Sequence, residues 1–173
     1  MKRIAAAFLS VLLMAGCGSG DAPWEDTEVS FDANGLTVHG TYRTNGKKGP
    51  AVLLLAESGP NDRNGDNKVV GPVGTMREIA ETLSGNGVAS LRYDKVGTGK
   101  TGLGHFSQQP ADVTGTVYTT EAAAALGFLA HRPDTATDKL SLYAIGEGAV
   151  RAMDLAGKGD PLVRSLALLQ PLP

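Results

Sequence analysis

Thr27, Val29 and Phe31 alternate with polar residues, Asn34-Gly35 supplies a two-residue turn, and Leu36, Val38 and Tyr42 belong to a second alternating stretch. That pattern predicts an antiparallel hairpin at the start of the domain. Ala51 to Ala56 is a continuous apolar run, as expected of a strand covered on both faces. Thr75-Met76-Arg77-Glu78 reads as a capping box, and Met76, Ile79, Ala80 and Leu83 follow at helical spacing until Gly85 and Gly87 stop it. Further along, Val88 to Tyr93 predicts a strand, Glu121 to Ala130 a helix ended by Pro133, and Leu140 to Ala144 another strand. A helix from Glu147 to Ala156 is expected to present Ala149, Ala152, Met153 and Ala156 on one face, and Ser165 to Leu169 reads as a last strand. Two antiparallel strands followed by repeated strand–helix units predict an α/β fold: a mostly parallel sheet with an N-terminal hairpin and flanking helices.

The chain of 173 residues is sized for one domain. With 42% hydrophobic and 20% charged residues, composition excludes a disordered, collagen-like or multi-span membrane chain. The net charge of −2, with no block of like charge, argues against nucleic acid as a partner. Cys17 is the single cysteine, which excludes an intramolecular disulfide and a multi-cysteine zinc site.

Lys2 and Arg3 form a positive start, Ile4 to Met14 a short apolar stretch, and Met14-Ala15-Gly16-Cys17 a small-residue end. The apolar run is shorter than the ~20 residues that span a bilayer, so it reads as a signal peptide rather than a membrane helix. The cysteine directly after the small pair resembles the lipobox of bacterial lipoproteins, with Met14 where leucine is usual. The resemblance implies cleavage before Cys17, acylation of that cysteine, membrane lipid as a partner, and an extracytoplasmic position on the cell membrane or envelope. The expected division is a signal peptide at 1–16, a lipidated cysteine and tether at 17–26, and a domain at 27–173, expected to be incomplete at its C-terminus.

The junction Leu142-Tyr143-Ala144-Ile145-Gly146-Glu147-Gly148-Ala149 has the form of a nucleophile elbow, in which a strained strand-to-helix turn lifts one residue above a sheet. Small residues are needed two before and two after the apex, because strand and helix approach closely there. Only Gly146 at the apex meets that demand, flanked by Ala144 and Gly148. The elbow is expected without its serine.

Three blocks, Leu55 to Gly65, Ser90 to Gly102 and this elbow, resemble in order and spacing the alpha/beta hydrolases of the bacterial esterase or acylaminoacyl-peptidase-like group. The likeness covers roughly residues 27–173. It implies the alpha/beta-hydrolase fold and ester or amide hydrolysis, with no cofactor. The family's nucleophile falls on Gly146, one oxyanion-hole amide on Glu147 and the second near Ser58. At Glu57 the family pattern has glycine, so this chain sets a carboxylate beside a site meant to stabilise negative charge. The family's acid and histidine follow the elbow, and no histidine follows Gly146 here.

Other candidates weigh less. His39, His105 and His131 share no ligand or triad spacing and read as surface residues, His131 at a helix C-terminus. Asp94 to Thr101 ends like a P-loop but has aspartate where the motif needs glycine. Asn61 to Asn67 lacks the spacing of a calcium loop; Asp62 and Arg63 are expected to hold the oxyanion loop instead. Glu147 reads as a helix N-terminal acid held by the dipole and free amides, partly filling the oxyanion position.

These readings lead to an expected cell-envelope lipoprotein with an alpha/beta-hydrolase-like domain of lost or impaired catalysis, binding at most a small ester or amide. An active ester or amide hydrolase of longer form, and a non-enzymatic surface lipoprotein or decayed gene product, are the alternatives. With the sheet ending at its sixth strand, Leu166, Leu168 and Leu169 are expected on an exposed edge.

Overall fold

The computed structural model describes residues 22–171, so the expected signal peptide and Cys17 lie outside the described residues. Strands β1 (Glu25–Ala33) and β2 (Leu36–Thr44) pair antiparallel through the Asn34-Gly35 turn, both residues having positive φ. That combination suits a hairpin whose strands twist to the right. β3 (Gly49–Leu55), β4 (Ala89–Tyr93), β5 (Thr135–Ile145) and β6 (Ser165–Leu169) complete a six-stranded sheet in the order β1-β2-β4-β3-β5-β6. β4 lies antiparallel to β2, and the β4-β3-β5-β6 pairs are parallel.

Alternate residues of the central strands feed two cores. On one face Leu53, Leu55, Leu91, Leu142 and Ala144 pack with α2 (Gly115–Ala130) and α3 (Glu147–Gly157). On the other face Val52 and Leu54 meet Met76 and Ala80 of α1 (Thr75–Gly85). The continuous apolar run in β3 is thus buried on both sides, as its sequence requires.

Several expectations need correction. Thr75 makes no capping box: α1 is capped by Gly74 in the left-handed region without a side-chain bond, and the Asn64 carbonyl accepts the amides of Met76 and Arg77. α2 begins at Gly115, six residues before the expected start, because packing overrides the weak helix preference of Gly115 and its threonines. β5 begins at Thr135 rather than Leu140, through a polar segment at the sheet's rim. The buried face of α3 is Gly148, Ala149, Ala152 and Leu155; Met153 is exposed. The tether drawn at 17–26 ends too late, since Trp24 packs against the core and Glu25 already belongs to β1. On β6, Leu166 and Leu169 are exposed while Leu168 packs half-buried against the core.

Candidate functional site

The parallel strands deliver their C-terminal ends to one rim of the sheet, where ligands meet open α/β folds. Loop 56–67 leaves β3 there, Asp94 and Lys95 leave β4, and the elbow leaves β5. At the elbow Gly146 has φ 54° and ψ −117°, a conformation that L side chains adopt only under strain. Its amide donates to the Leu169 carbonyl at 3.0 Å, which ties the apex to the end of β6. A Cβ on Gly148 would stand 2.5 Å from the Leu55 carbonyl oxygen and 2.7 Å from that of Ala56, so helix and strand can approach this closely only with glycine there. Ala144 is fully buried. A Cβ on Gly146 would meet the Glu57 Cβ at 3.4 Å, ordinary contact, so the apex has room for a side chain and carries none.

The loop after β3 is clamped from below. The buried Arg63 guanidinium donates to Asp94 through Nε (3.1 Å) and one terminal nitrogen (2.8 Å), and to the Gly40 carbonyl (2.6 Å). The Arg63 amide and the Lys100 amide add bonds of 2.8 Å to the same carboxylate. Asp62 acts only inside the loop, accepting the amides of Asn64 and Asp66, so the anchoring expected of the Asp62–Arg63 pair belongs to Arg63 with Asp94.

Above this clamp sits a chain of charges. Lys95 Nζ donates to the Glu57 carbonyl (2.5 Å), stands 3.7 Å from Glu147 Oε2 and lies over the Tyr118 ring at 5.6 Å. Burial lowers the pKa of Lys95, and Glu147, Glu121 and Glu57 oppose that by favouring the charged ammonium. Glu121 is fully buried and accepts the Val96 amide on both oxygens, at 3.1 and 3.2 Å. Burial pushes Glu121 up to about 7, against the pull of the Val96 bond and of Lys95. The phenols of Tyr93 and Tyr118 are raised by burial first and by these carboxylates second. A cavity of about 20 Å³ remains between Tyr93, Lys95, Tyr118 and Gly148, and an open cleft of about 260 Å³ lies on the far side of Glu57, beside Ser58.

Glu147 is where the helix begins, but its carboxylate makes no capping bond; it turns to Lys95 instead, which corrects the expected hold by free amides. Ser58 is exposed, and its carbonyl accepts Asn61 Nδ2 at 2.8 Å. The elbow thus gathers Glu57, Glu147, Ala144 and Gly148 around Gly146. The histidines stay away from it. His39 lies on β2 with Nδ1 3.8 Å from Glu28, His105 stacks on Phe106, and His131 ends α2 with Nδ1 2.7 Å from the Gly127 carbonyl. Sequence reasoning missed Lys95 and Glu121. Glu121 had a signal, a lone acid at the head of the run Ala122 to Ala130, with Ala122, Ala125 and Leu126 buried beside it.

The order of the strands, the two helix layers and the elbow at the rim decide the architecture. The chain has part of the alpha/beta-hydrolase fold. Solved structures share it at low sequence identity. An alpha/beta hydrolase, GrgF, from Penicillium sp. sh18 superposes with a TM-score of 0.66 at 18% identity, over 86% of this chain and 46% of that one. A dienelactone hydrolase from Anabaena variabilis gives 0.63 at 18%, over 84% of this chain and 62% of that one. A cold-adapted esterase from an Arctic intertidal metagenomic library gives 0.63 at 20%, over 84% and 60%. The chain spans about half the length of GrgF. No protein-family model and no curated protein matches it. Within the alpha/beta-hydrolase fold, Gly146 occupies the bend from strand to helix, and Glu57 faces it from the loop after β3.

Proposed function

We propose that this alpha/beta-hydrolase-like domain binds a small organic ligand at the elbow rim without forming an acyl-enzyme, and that it is carried on the outer face of a membrane by acylated Cys17. The single observation behind the first half is the glycine at the apex: Gly146 offers no oxygen to attack a carbonyl carbon. The surroundings support it. Acyl transfer develops negative charge on the substrate oxygen, and the carboxylates of Glu57 and Glu147 beside the apex oppose that charge. Lys95, the one nearby ammonium described, is held by Glu147 and by the Glu57 carbonyl. No imidazole among the described residues stands at the elbow to act as base.

Ester or amide hydrolysis is the second reading, favoured by the fold shared with an esterase and a dienelactone hydrolase. One experiment separates the two: the full chain incubated with a p-nitrophenyl ester and with a fluorophosphonate probe. Binding without acyl transfer gives neither turnover nor labelling; labelling that maps to a serine overturns it. The anchor is tested apart, by radiolabelled palmitate incorporated into the wild type and lost in Cys17→Ala.

A further inference from the structure

We infer that the rim opposite the elbow is the membrane-facing surface of the domain, where Lys47, Lys48, Lys139 and Arg164 rest on anionic lipid headgroups while the elbow opens away from the bilayer. This deepens the anchoring half of the reading above and rests on it. The register of the sheet fixes the geometry. Asp26, Arg43, Ser90, Val52, Ser141 and Ser165 pair in turn from β1 to β6, so they mark one level across the sheet. Trp24 stands two residues below that level, just before β1, and the elbow apex Gly146 stands five residues above it, just past β5. At about 3.3 Å for each strand residue, roughly 23 Å separate the elbow from the point where the tether joins the domain. Cys17 is seven residue steps from Trp24, and seven steps along any path span at most about 25 Å. To lay the elbow rim on the bilayer, that link must be drawn almost straight. The opposite rim reaches the bilayer with the link at a fraction of its full length.

Charge acts in the same direction. The turn between β2 and β3 carries the exposed Lys47 and Lys48, Lys139 is exposed in the first half of β5, and the exposed Arg164 directly precedes β6. By register all four lie below the marked level. The exposed acids near that end are Glu25, Glu81 and Asp138. Asp134 is buried there and accepts the Thr44 hydroxyl, and Arg132, half-buried over the Tyr42 ring, balances it. Cations thus keep the excess. At the elbow rim the balance reverses, with Glu57, Asp62, Asp66 and Glu147 set against Lys68 and Lys95. An anionic bilayer therefore attracts the first rim and repels the second. This attraction fades within about 8 Å at physiological salt, so it acts on the rim that the short link already brings down.

The test uses the acylated full chain in vesicles of phosphatidylcholine and phosphatidylglycerol that carry a nitroxide quencher on a lipid headgroup. Acylation blocks Cys17, the single cysteine, so a fluorophore attaches only at an introduced thiol. Thr137→Cys places it on the basic rim and Ser58→Cys at the elbow rim, both exposed positions. Quenching is expected to be severalfold stronger at position 137 than at position 58. At position 137 it should fall about twofold in vesicles of phosphatidylcholine alone, and likewise with Lys48→Glu, Lys139→Glu and Arg164→Glu combined. These exposed changes should leave the thermal midpoint little altered. Quenching at position 58 equal to or above that at position 137 overturns the orientation, and quenching at position 137 that ignores lipid charge overturns the headgroup contact. Palmitate missing from the wild type removes the anchor and this orientation with it; palmitate present with position 58 nearer the headgroups removes the orientation alone.

Discussion

Two loops leave neighbouring strands at the same rim, one after β3 and one after β5, and they are finished to different degrees. Under the first, Arg63 and Asp94 are both buried, and each meets the other and backbone groups besides. Over the second, the backbone is bent to φ 54° and Gly148 lets the helix press on β3, yet the bend lifts nothing into the cleft. Elbow geometry is a property of the backbone and of close packing, whereas its chemistry resides in one side chain. The first can persist without the second. A frame of this kind still shapes a cleft, and the charges around it then decide what the cleft admits.

The largest expected effect breaks the finished loop. Asp94→Ala leaves the buried Arg63 guanidinium with the half-exposed Glu28 carboxylate (3.1 Å) as its remaining charged partner, and removing one member of a buried pair costs up to about 3–5 kcal/mol. Urea denaturation should show that loss. A loss under 1 kcal/mol would mean that the clamp is not what holds the loop after β3.

Next comes Glu121, which links the two loops through Val96 and Lys95. Burial pushes its pKa up to about 7, above the 4.5 of an ordinary glutamate, so the fold binds this proton more tightly than the unfolded chain does. The stabilisation is therefore full below about pH 4.5, falls as pH rises, and is gone above about 7. At most about 3 kcal/mol is involved. Glu121→Gln keeps an oxygen for the Val96 amide and removes the charge. Relative to wild type it should gain up to that amount between pH 4.5 and pH 8, measured by urea denaturation at each pH. A difference independent of pH would show that Glu121 is not titrating across this window.

How much of this was legible in the sequence follows from what each feature depends on. The hairpin, the doubly buried β3 and the elbow at 144–148 could be read because alternation, apolar runs and turn residues act locally. The start of α2 could not, since Gly115 and three threonines form helix only with a sheet to pack on. Nor could the cap of α1, because the group that takes the amides of Met76 and Arg77 is a carbonyl twelve and thirteen residues back, brought round by the fold of the β3–α1 loop. Glu57 was visible as an odd carboxylate in a known block. The approach of Glu121 to Lys95 and Val96 was not, because it is made by tertiary packing of α2 against the end of β4.

A third prediction sharpens the comparison at the elbow itself. Gly148→Ala puts a methyl group 2.5 Å from the Leu55 carbonyl oxygen, a backbone atom that cannot swing aside. α3 must shift, at about 2 kcal/mol on the scale of overpacked sites. Denaturation that leaves the variant within 0.5 kcal/mol of wild type would mean that the close approach of α3 to β3 is not a tight constraint.

The smallest effect is the most discriminating. At Gly146 a Cβ has room, its nearest neighbour being the Glu57 Cβ at 3.4 Å, so the penalty of Gly146→Ser comes from positive φ alone. The cost is of order 1–3 kcal/mol, the range for one L residue held in a sparsely populated backbone region such as φ 54°, ψ −117°. The variant should fold, bring a hydroxyl to the bend, and still show no burst of p-nitrophenol. The reason is local: the ionisable neighbours of the bend are Glu57, Glu147 and Lys95, none of them an imidazole to take the proton, and two of them are acids that oppose negative charge developing beside the bend. A burst from Gly146→Ser would show that these charges leave the developing oxyanion alone, and would return the elbow to the same standing as the loop after β3. Silence from a well-folded variant would show that restoring one atom is not enough where no imidazole stands beside it to take the proton.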